Sequence, residues 1–431
     1  MRKKLAVIFV MSIIFSNILT IIYASTKELP TFAVVESIAD AKNEEVVETV
    51  KSVSQPAVAE ANFNFTSKSQ ILMEMSTGRV IYEKNSDEKA YPASVTKIMT
   101  LLLIMEAIDS GKISYEDKVV CSENASKMGG SQIWFQPGEE LTIDEALKCI
   151  CVVSANDVCV AMAEHIGGNE ENFVKMMNDK ASKLGMTGTN FVNCHGIDDE
   201  NHYTTARDIA IMSRELMAKH PNITKYTTIW MDSIRGGTFG LSNTNKLIRY
   251  YEGATGLKTG YTSTAMYNLS ATATKNDMSL VAVILTAPSS DIRNEEAKQL
   301  LNYGFANYQV EKLASKGEVI DKIKINKHLG ENVEIVLEND ISLMSEKGNK
   351  GDYDKEVVIN KNINAPLKKG EIVGKIVYKD ADGNEVGNSN IVVDNNIVKS
   401  GIIEYIKYSL KMFLMGLDDI QMFMFKNVGK S

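Results

Sequence analysis

Residues 94–105, Ser-Val-Thr-Lys-Ile-Met-Thr-Leu-Leu-Leu-Ile-Met, carry helical spacing with no polar face. A surface helix keeps one apolar stripe and leaves the rest polar; a helix that is apolar all round has to be enclosed by other elements. Enclosure also takes Lys97 out of water, and both burial and a neighbouring cation disfavour its charged form. The fold must therefore wrap this helix and hold an amine one turn from a hydroxyl.

The surrounding sequence supplies the wrapping. Ser69 to Glu74 and Arg79 to Glu83 are short, partly alternating runs separated by Ser76-Thr77-Gly78, a hairpin signal. Helical spacing returns over Ile143 to about His165, Glu171 to Leu184 and Thr205 to His220. Strand character follows at Ala254 to Lys258, Tyr267 to Thr274 and Ser279 to Leu285, then a closing helix from about Asn294 to Tyr308. Strands at both ends of a segment with helices between them predict one sheet assembled from the two ends, its helical insert packed beside it, which is an α/β domain over 67–308. After Tyr308 the runs Val319 to Ile325, Val333 to Leu337, Glu356 to Ile359, Ile372 to Tyr378 and Ser389 to Val393 are short and broken by Gly, Asn and Asp. With the turn signal Asp382-Gly383 they predict a small all-β domain over 309–398. A chain of 431 residues exceeds what one core organises, so two domains are expected on length as well.

The ends carry addressing. Arg2-Lys3-Lys4, the apolar run Leu5 to Ile22 and the small residues before Ser25 have the build of an export signal over 1–24, cut after Ala24. Residues 25–66 are Ala, Val, Glu and Ser without period, a flexible spacer. Over 399–431, Ile402, Ile403, Ile406, Leu410, Phe413, Leu414, Leu417, Ile420 and Met424 recur at spacings of three and four. This segment is expected to be an amphipathic helix lying in a membrane interface, which places an exported protein on the outer face of the cytoplasmic membrane. A net charge of -8 with no basic stripe excludes nucleic acid as partner. The five cysteines, Cys121, Cys149, Cys151, Cys159 and Cys194, lack zinc or disulfide-scaffold spacing and read as apolar fillers. His195, Asp198, Glu200 and His202 form a loop that nothing fixes as a metal site, so neither metal nor cofactor is expected.

Three short motifs carry the chemistry: Ser94-Val95-Thr96-Lys97, Ser154-Ala155-Asn156 and Lys258-Thr259-Gly260. In the first, a neutral Lys97 takes the proton of Ser94, and the helix N-terminus offers unpaired N–H groups to an oxyanion. In the second, a hydroxyl and an amide sit between apolar stretches, where they need partners. In the third, Lys and Thr suit a carboxylate, and Gly lets another backbone approach closely. Any one of these strings alone reads as a helix start, a cap or a turn.

In this order, the three resemble the signature set of the penicillin-binding proteins and the related β-lactamases. Tyr91 to Thr100, Gly130-Ser131-Gln132, Gly138-Glu139, Val153 to Glu164, Asn193 to Ile197, Thr204-Thr205-Ala206 and Gly256 to Thr262 also resemble segments of the low-molecular-mass penicillin-binding D,D-carboxypeptidases of the S11 type, in family order from about Ser67 to Tyr308. The resemblance implies a transpeptidase-like α/β domain followed by the all-β domain and the terminal helix. It implies a serine D-Ala-D-Ala carboxypeptidase that trims peptidoglycan stem pentapeptides and is acylated by β-lactams. It casts Ser94 as nucleophile, Lys97 as base, Ser154 as proton relay, Asn156 and Thr259 as aligning groups, Lys258 as part of the carboxylate network, and the N–H groups of Ser94 and Tyr261 as the oxyanion hole beside Gly260. Cys194 and Ile197 stand where relatives usually show Pro and Leu, Met266 where they often show Gly, and Thr244 where some have an Arg for the substrate carboxylate. The other readings are a β-lactamase, a D,D-endopeptidase of the same fold, or a catalytically silent cell-wall scaffold; the intact polar residues of all three motifs disfavour the last.

Overall fold

The computed structural model describes residues 63–330, 332–349, 352–408 and 410–411. The expected leader over 1–24, the spacer as far as residue 62 and the segment beyond 411 lie outside the described residues.

The main sheet is assembled as its two-ended strand pattern predicts. Strands β1 (Ser69–Glu74) and β2 (Val80–Lys84) form a hairpin. After two short ribbons, β3 (Lys118–Val120) with β4 (Glu140–Thr142) and β5 (Met231–Ile234) with β6 (Phe239–Ser242), the chain returns as β7 (Ala254–Thr262), β8 (Met266–Lys275) and β9 (Met278–Ala287). The order is β2-β1-β9-β8-β7, with β1 and β9 antiparallel, so the first strand of the domain pairs with the last. Side chains alternate across this sheet. Ile71, Met73, Val281, Val283 and Leu285 face the helical insert, whereas Leu72, Leu280, Ala282 and Ile284 face Leu300 and Leu301 of the closing helix.

Helix α1 (Lys97–Asp109) lies at the centre of the insert, and every residue from Lys97 to Met105 is buried. It is enclosed by α2 (Asn156–Gly167), α3 (Glu170–Lys183) and α4 (Ala206–Lys219), as an all-apolar helix requires. The closing helix α5 (Ser290–Asn307) covers the other face of the sheet.

Four features depart from the sequence expectation. The helical stretch from Ile143 to about His165 is split: a helix over Ile143–Lys148 runs into a π-turn at Cys149–Val153, and Ser154, at φ 66° and ψ 34°, stops it before α2 begins. A non-glycine residue in the left-handed region cannot continue a right-handed helix. The strand expected to end at Lys258 continues to Thr262. The closing helix ends at Asn307, and Tyr308 opens β10 (Tyr308–Ala314) instead. Finally, Phe63 to Thr66, read as the end of the spacer, pack on the domain: Phe63 stacks on Phe65 at 4.6 Å and meets Tyr82 and Tyr303 edge-on, and Thr66 N donates to Glu296 Oε1 at 2.7 Å.

The C-terminal part contains β11 (Val319–Ile323), β12 (Val333–Leu337), β13 (Ile341–Glu346), β14 (Asp354–Ile359), β15 (Ile372–Lys379) and β16 (Glu385–Val393). Five of these form a sheet in the order β11-β12-β16-β15-β14, while β10 pairs with β13. Asp382-Gly383 lies in the β15–β16 turn, where Gly383 adopts φ 82°. Its core is Ile335, Val373, Ile376, Ile391 and Val393.

Candidate active site

A tight 3-10 turn over Ala93–Thr96 presents Ser94 before α1 begins. Val95, Thr96 and Lys97 are buried, and Ser94 is half-buried at the mouth. Because residues three apart on a helical turn share a face, Lys97 Nζ lies 2.9 Å from Ser94 Oγ. Lys97 also donates to Asn156 Oδ1 at 2.6 Å and to the His195 carbonyl at 2.7 Å. The Asn156 amide orientation is fixed by its Nδ2, which donates to the Gly129 carbonyl at 2.7 Å.

This geometry counts hydrogens. Two neighbours of Lys97 are obligate acceptors, and a neutral amine has two N–H bonds and one lone pair. In its neutral form both hydrogens are committed to Asn156 and His195, and the lone pair is left for the Ser94 hydroxyl. Burial pushes Lys97 in the same direction, lowering its pKa from the usual lysine value, and no carboxylate forms an ion pair with it among the described residues.

Ser154 occupies the left-handed turn that interrupts the helix, two residues before Asn156. It is buried, and among the described residues its Oγ has no hydrogen-bond partner. Asn156 is also buried and opens α2, and its backbone N donates to the Ser131 carbonyl at 2.7 Å.

The third motif lies within β7, the edge strand of the sheet. Lys258 is buried with its Nζ on the Thr259 carbonyl at 3.0 Å. Burial pushes it down to about 7. Thr259 Oγ1 donates to Thr244 Oγ1 at 2.7 Å, and Thr244 N donates to the Val152 carbonyl at 3.1 Å, which ties the motif to the π-turn before Ser154. A Cβ at Gly260 would lie 2.8 Å from the Pro92 carbonyl oxygen and 3.0 Å from Ser94 N, so the glycine is what lets β7 pass against the nucleophile turn. Tyr261 is exposed and its ring leans on Tyr267 at 4.4 Å.

The loop from Asn193 to His202, which contains His195-Gly196, serves as a brace. His202 Nδ1 accepts from Val192 N at 3.0 Å, so its proton sits on Nε2 and is donated to Thr96 Oγ1 at 2.8 Å. His195 Nδ1 accepts from Ile197 N at 3.2 Å, and Asp198 Oδ1 accepts from Thr262 at 2.9 Å. Burial holds His195 down at about 3 and His202 at about 4, so both rings are neutral at physiological pH. Gly196 fits because a Cβ there would collide with the Ala93 carbonyl at 1.8 Å. All five cysteines are buried and unpaired. The His195 and Gly129 carbonyls were invisible to motif reading, being backbone groups that any residue supplies.

A family model described as D-alanyl-D-alanine carboxypeptidase matches residues 50–289, and one described as penicillin-binding protein 5, C-terminal domain, matches 308–399. The D-alanyl-D-alanine carboxypeptidase DacF of Bacillus subtilis is 44% identical over 347 residues, covering 80% of this chain and 89% of its own. The chain belongs to the D-alanyl-D-alanine carboxypeptidase family. A second member, DacA of Haemophilus influenzae, is 33% identical over 78% of this chain and 86% of its own. Among solved structures, penicillin-binding protein 5 from Haemophilus influenzae superposes with a TM-score of 0.65 at 32% identity, over 79% of this chain and all of that one. Penicillin-binding protein D2 from Listeria monocytogenes, in its ampicillin-bound form, matches at 26% identity and a TM-score of 0.53, over 57% of this chain and all of that one.

Two departures from the family pattern have visible consequences. Met266 adopts φ 57°, a conformation that explains why glycine is frequent there. Thr244, in the segment where some family members carry Arg, meets Thr259 hydroxyl to hydroxyl.

The depressed pKa of Lys258 has a sign that denaturation can read. At and below about pH 7 the folded chain bears the full cost of a buried ammonium. Between that pH and the ordinary lysine value of 10.5 the unfolded chain binds a proton that the folded one does not, so stability rises with pH across this window. Lys258→Met is therefore expected to be more stable than wild type by the largest margin at pH 7 and below, with the margin closing towards pH 10. Urea unfolding of both proteins at several pH values checks this; a margin that widens with pH contradicts it.

Proposed function

We propose that this chain is a serine D-Ala-D-Ala carboxypeptidase that acts on peptidoglycan stem pentapeptides through an acyl-enzyme on Ser94. Ser94 Oγ attacks the carbonyl between the two terminal D-alanines as its proton passes to neutral Lys97. The N–H groups of Ser94 and Tyr261 receive the oxyanion, and a pair of preorganised donors of this kind contributes about 10²–10³ in rate per donor. Ser154, whose hydroxyl has no partner among the described residues, relays the proton to the departing D-alanine amine. Lys258 and Thr259 hold the substrate carboxylate, and Asn156 aligns the stem peptide. The C–N bond breaks, D-alanine leaves, and water releases the shortened peptide from Ser94. β-Lactams acylate the same oxygen.

The observation that carries this reading is the buried Lys97 cluster, its amine 2.9 Å from Ser94 Oγ and held by Asn156 Oδ1 and the His195 carbonyl. The family relationship favours a carboxypeptidase over a β-lactamase. The test is release of D-alanine from a peptide ending in D-Ala-D-Ala, together with the intact mass after benzylpenicillin. One penicillin adduct mapping to Ser94 and D-alanine release abolished in Ser94→Ala are expected. Undiminished release by Ser94→Ala, or rapid steady nitrocefin turnover, would overturn the reading.

The enzyme works outside the cell, exported by its leader and held at the membrane surface by the segment over 399–431. Support comes from residues 402–408, which are helical and expose Ile402, Ile403 and Ile406. No helix among the described residues is long and apolar enough to cross a membrane. Flotation with anionic phospholipid vesicles is expected to carry the mature chain and to lose a version ending at residue 398; equal flotation of both would refute the anchor.

A further inference from the structure

We infer that Asn268 is a positioning residue that sets the spacing of the two oxyanion donors. The inference rests on the assignment of those donors as Ser94 N and Tyr261 N. They belong to different elements, one to the turn before α1 and the other to β7. Among the described residues no backbone hydrogen bond joins that turn to β7, and the bare Cα of Gly260 brings the two together without fastening them.

Asn268 supplies the fastening. It lies on β8 directly opposite Gly260 and is wholly buried. Side chains of directly opposed residues emerge on the same face of an antiparallel pair. Asn268 therefore extends towards the place where a Cβ at Gly260 would strike the Pro92 carbonyl. Its Nδ2 donates to the Tyr91 carbonyl at 2.8 Å and to the Pro92 carbonyl at 3.2 Å, three and two residues before Ser94. Its Oδ1 accepts from Thr286 N at 2.8 Å, so the amide cannot turn over without losing both ends. The local backbone is shaped for this contact. The β8–β9 register shifts between Tyr267 and Leu269, which leaves Asn268 without an opposed residue on β9, and Thr286 takes φ 59°. Bulges of this kind re-aim a side chain. Arg293 Nη1, from α5, donates to the Asn268 carbonyl at 3.4 Å and braces the same point. The Pro92 carbonyl also receives Val95 N at 3.3 Å, so one oxygen links the first turn of the nucleophile to the sheet that bears Tyr261.

Asn268→Asp keeps the shape and the acceptor for Thr286 but removes the amide donor; Asn268→Ala removes both. Folded, monomeric fractions of each are compared with wild type for kcat and KM on the D-Ala-D-Ala peptide, for Ser94 acylation by benzylpenicillin, and for inhibition by a peptide boronic acid, which forms a tetrahedral adduct on serine. Misplacing catalytic groups by about 1 Å costs about 10² in rate. The expected result is a fall of about that size in kcat and in acylation, a matching loss of boronate affinity, and little change in KM. A folded variant of either kind that acylates within about threefold of wild type overturns the inference, as does a loss confined to KM. The underlying assignment fails separately: Ser94→Ala that still releases D-alanine removes the nucleophile itself, whatever Asn268 does.

Discussion

Replacing Lys97 with methionine is expected to slow acylation of Ser94 by about 10³-fold while leaving the protein folded, because a positioned general base contributes about 10²–10⁴. The two effects separate for a physical reason. Methionine fills nearly the same buried volume without an amine that has to be kept from water, so helix α1 stays packed. The substitution does strip the donor from Asn156 Oδ1 and the His195 carbonyl. Each orphaned acceptor costs about 1–3 kcal/mol, which the removal of a desolvated amine partly offsets. Lys97→Arg is expected to be equally inactive, since a guanidinium remains charged and has no lone pair to offer. Stopped-flow labelling with a fluorescent penicillin reads the rate, and a melting curve reads the fold. Acylation by Lys97→Met within about tenfold of wild type would show that the proton of Ser94 goes elsewhere.

The parts of this architecture that sequence declares are those whose signal is local. An all-apolar helix from Ser94 has to be buried, and it is. Strand character in the runs Tyr267 to Thr274 and Ser279 to Leu285 marks strands, and the sheet does join both ends of the domain. The chemistry-bearing side chains were legible because their type and spacing are themselves constraints: Ser94 and Lys97 share a helical turn, and Ser154, Asn156, Lys258 and Gly260 come with them in the family's order. What stayed hidden depends on the tertiary environment. Ser154 carries no mark of its left-handed backbone, because the π-turn before it is as apolar as a continuing helix. The ribbons β3–β4 and β5–β6 have three or four residues per strand, too few for a period to register. Asn268 alternates in sequence with Ser270, Thr272 and Thr274 as a polar strand face would, yet the strand is buried from Asn268 to Ala273. Such local conflicts between sequence and burial tend to mark functional positions.

Gly260→Ala is the sharpest test of how closely the two halves of the site must meet, and acylation is expected to fall by about 10²-fold. Gly260 does not occupy the left-handed region, so a Cβ there brings no backbone strain, and the whole effect is contact. The added methyl would lie 2.8 Å from the Pro92 oxygen, 3.0 Å from Ser94 N and 3.1 Å from Ala93 Cβ. None of these atoms is the end of a flexible side chain, so the strand or the nucleophile turn has to move, and Ser94 N and Tyr261 N then no longer aim at one oxyanion. Gly240→Ala provides the comparison: it sits on β6, has no heavy atom within 4 Å of its would-be Cβ, and is expected to leave acylation unchanged. Gly260→Ala acylating within about threefold of Gly240→Ala would mean that the turn and the strand are not fixed to one another. If they are fixed, the methyl at Gly260 and the loss of the Asn268 donor act on the same Pro92 carbonyl. The rate losses of Gly260→Ala and Asn268→Ala should then combine to less than their product, because residues that share a partner do not contribute independently.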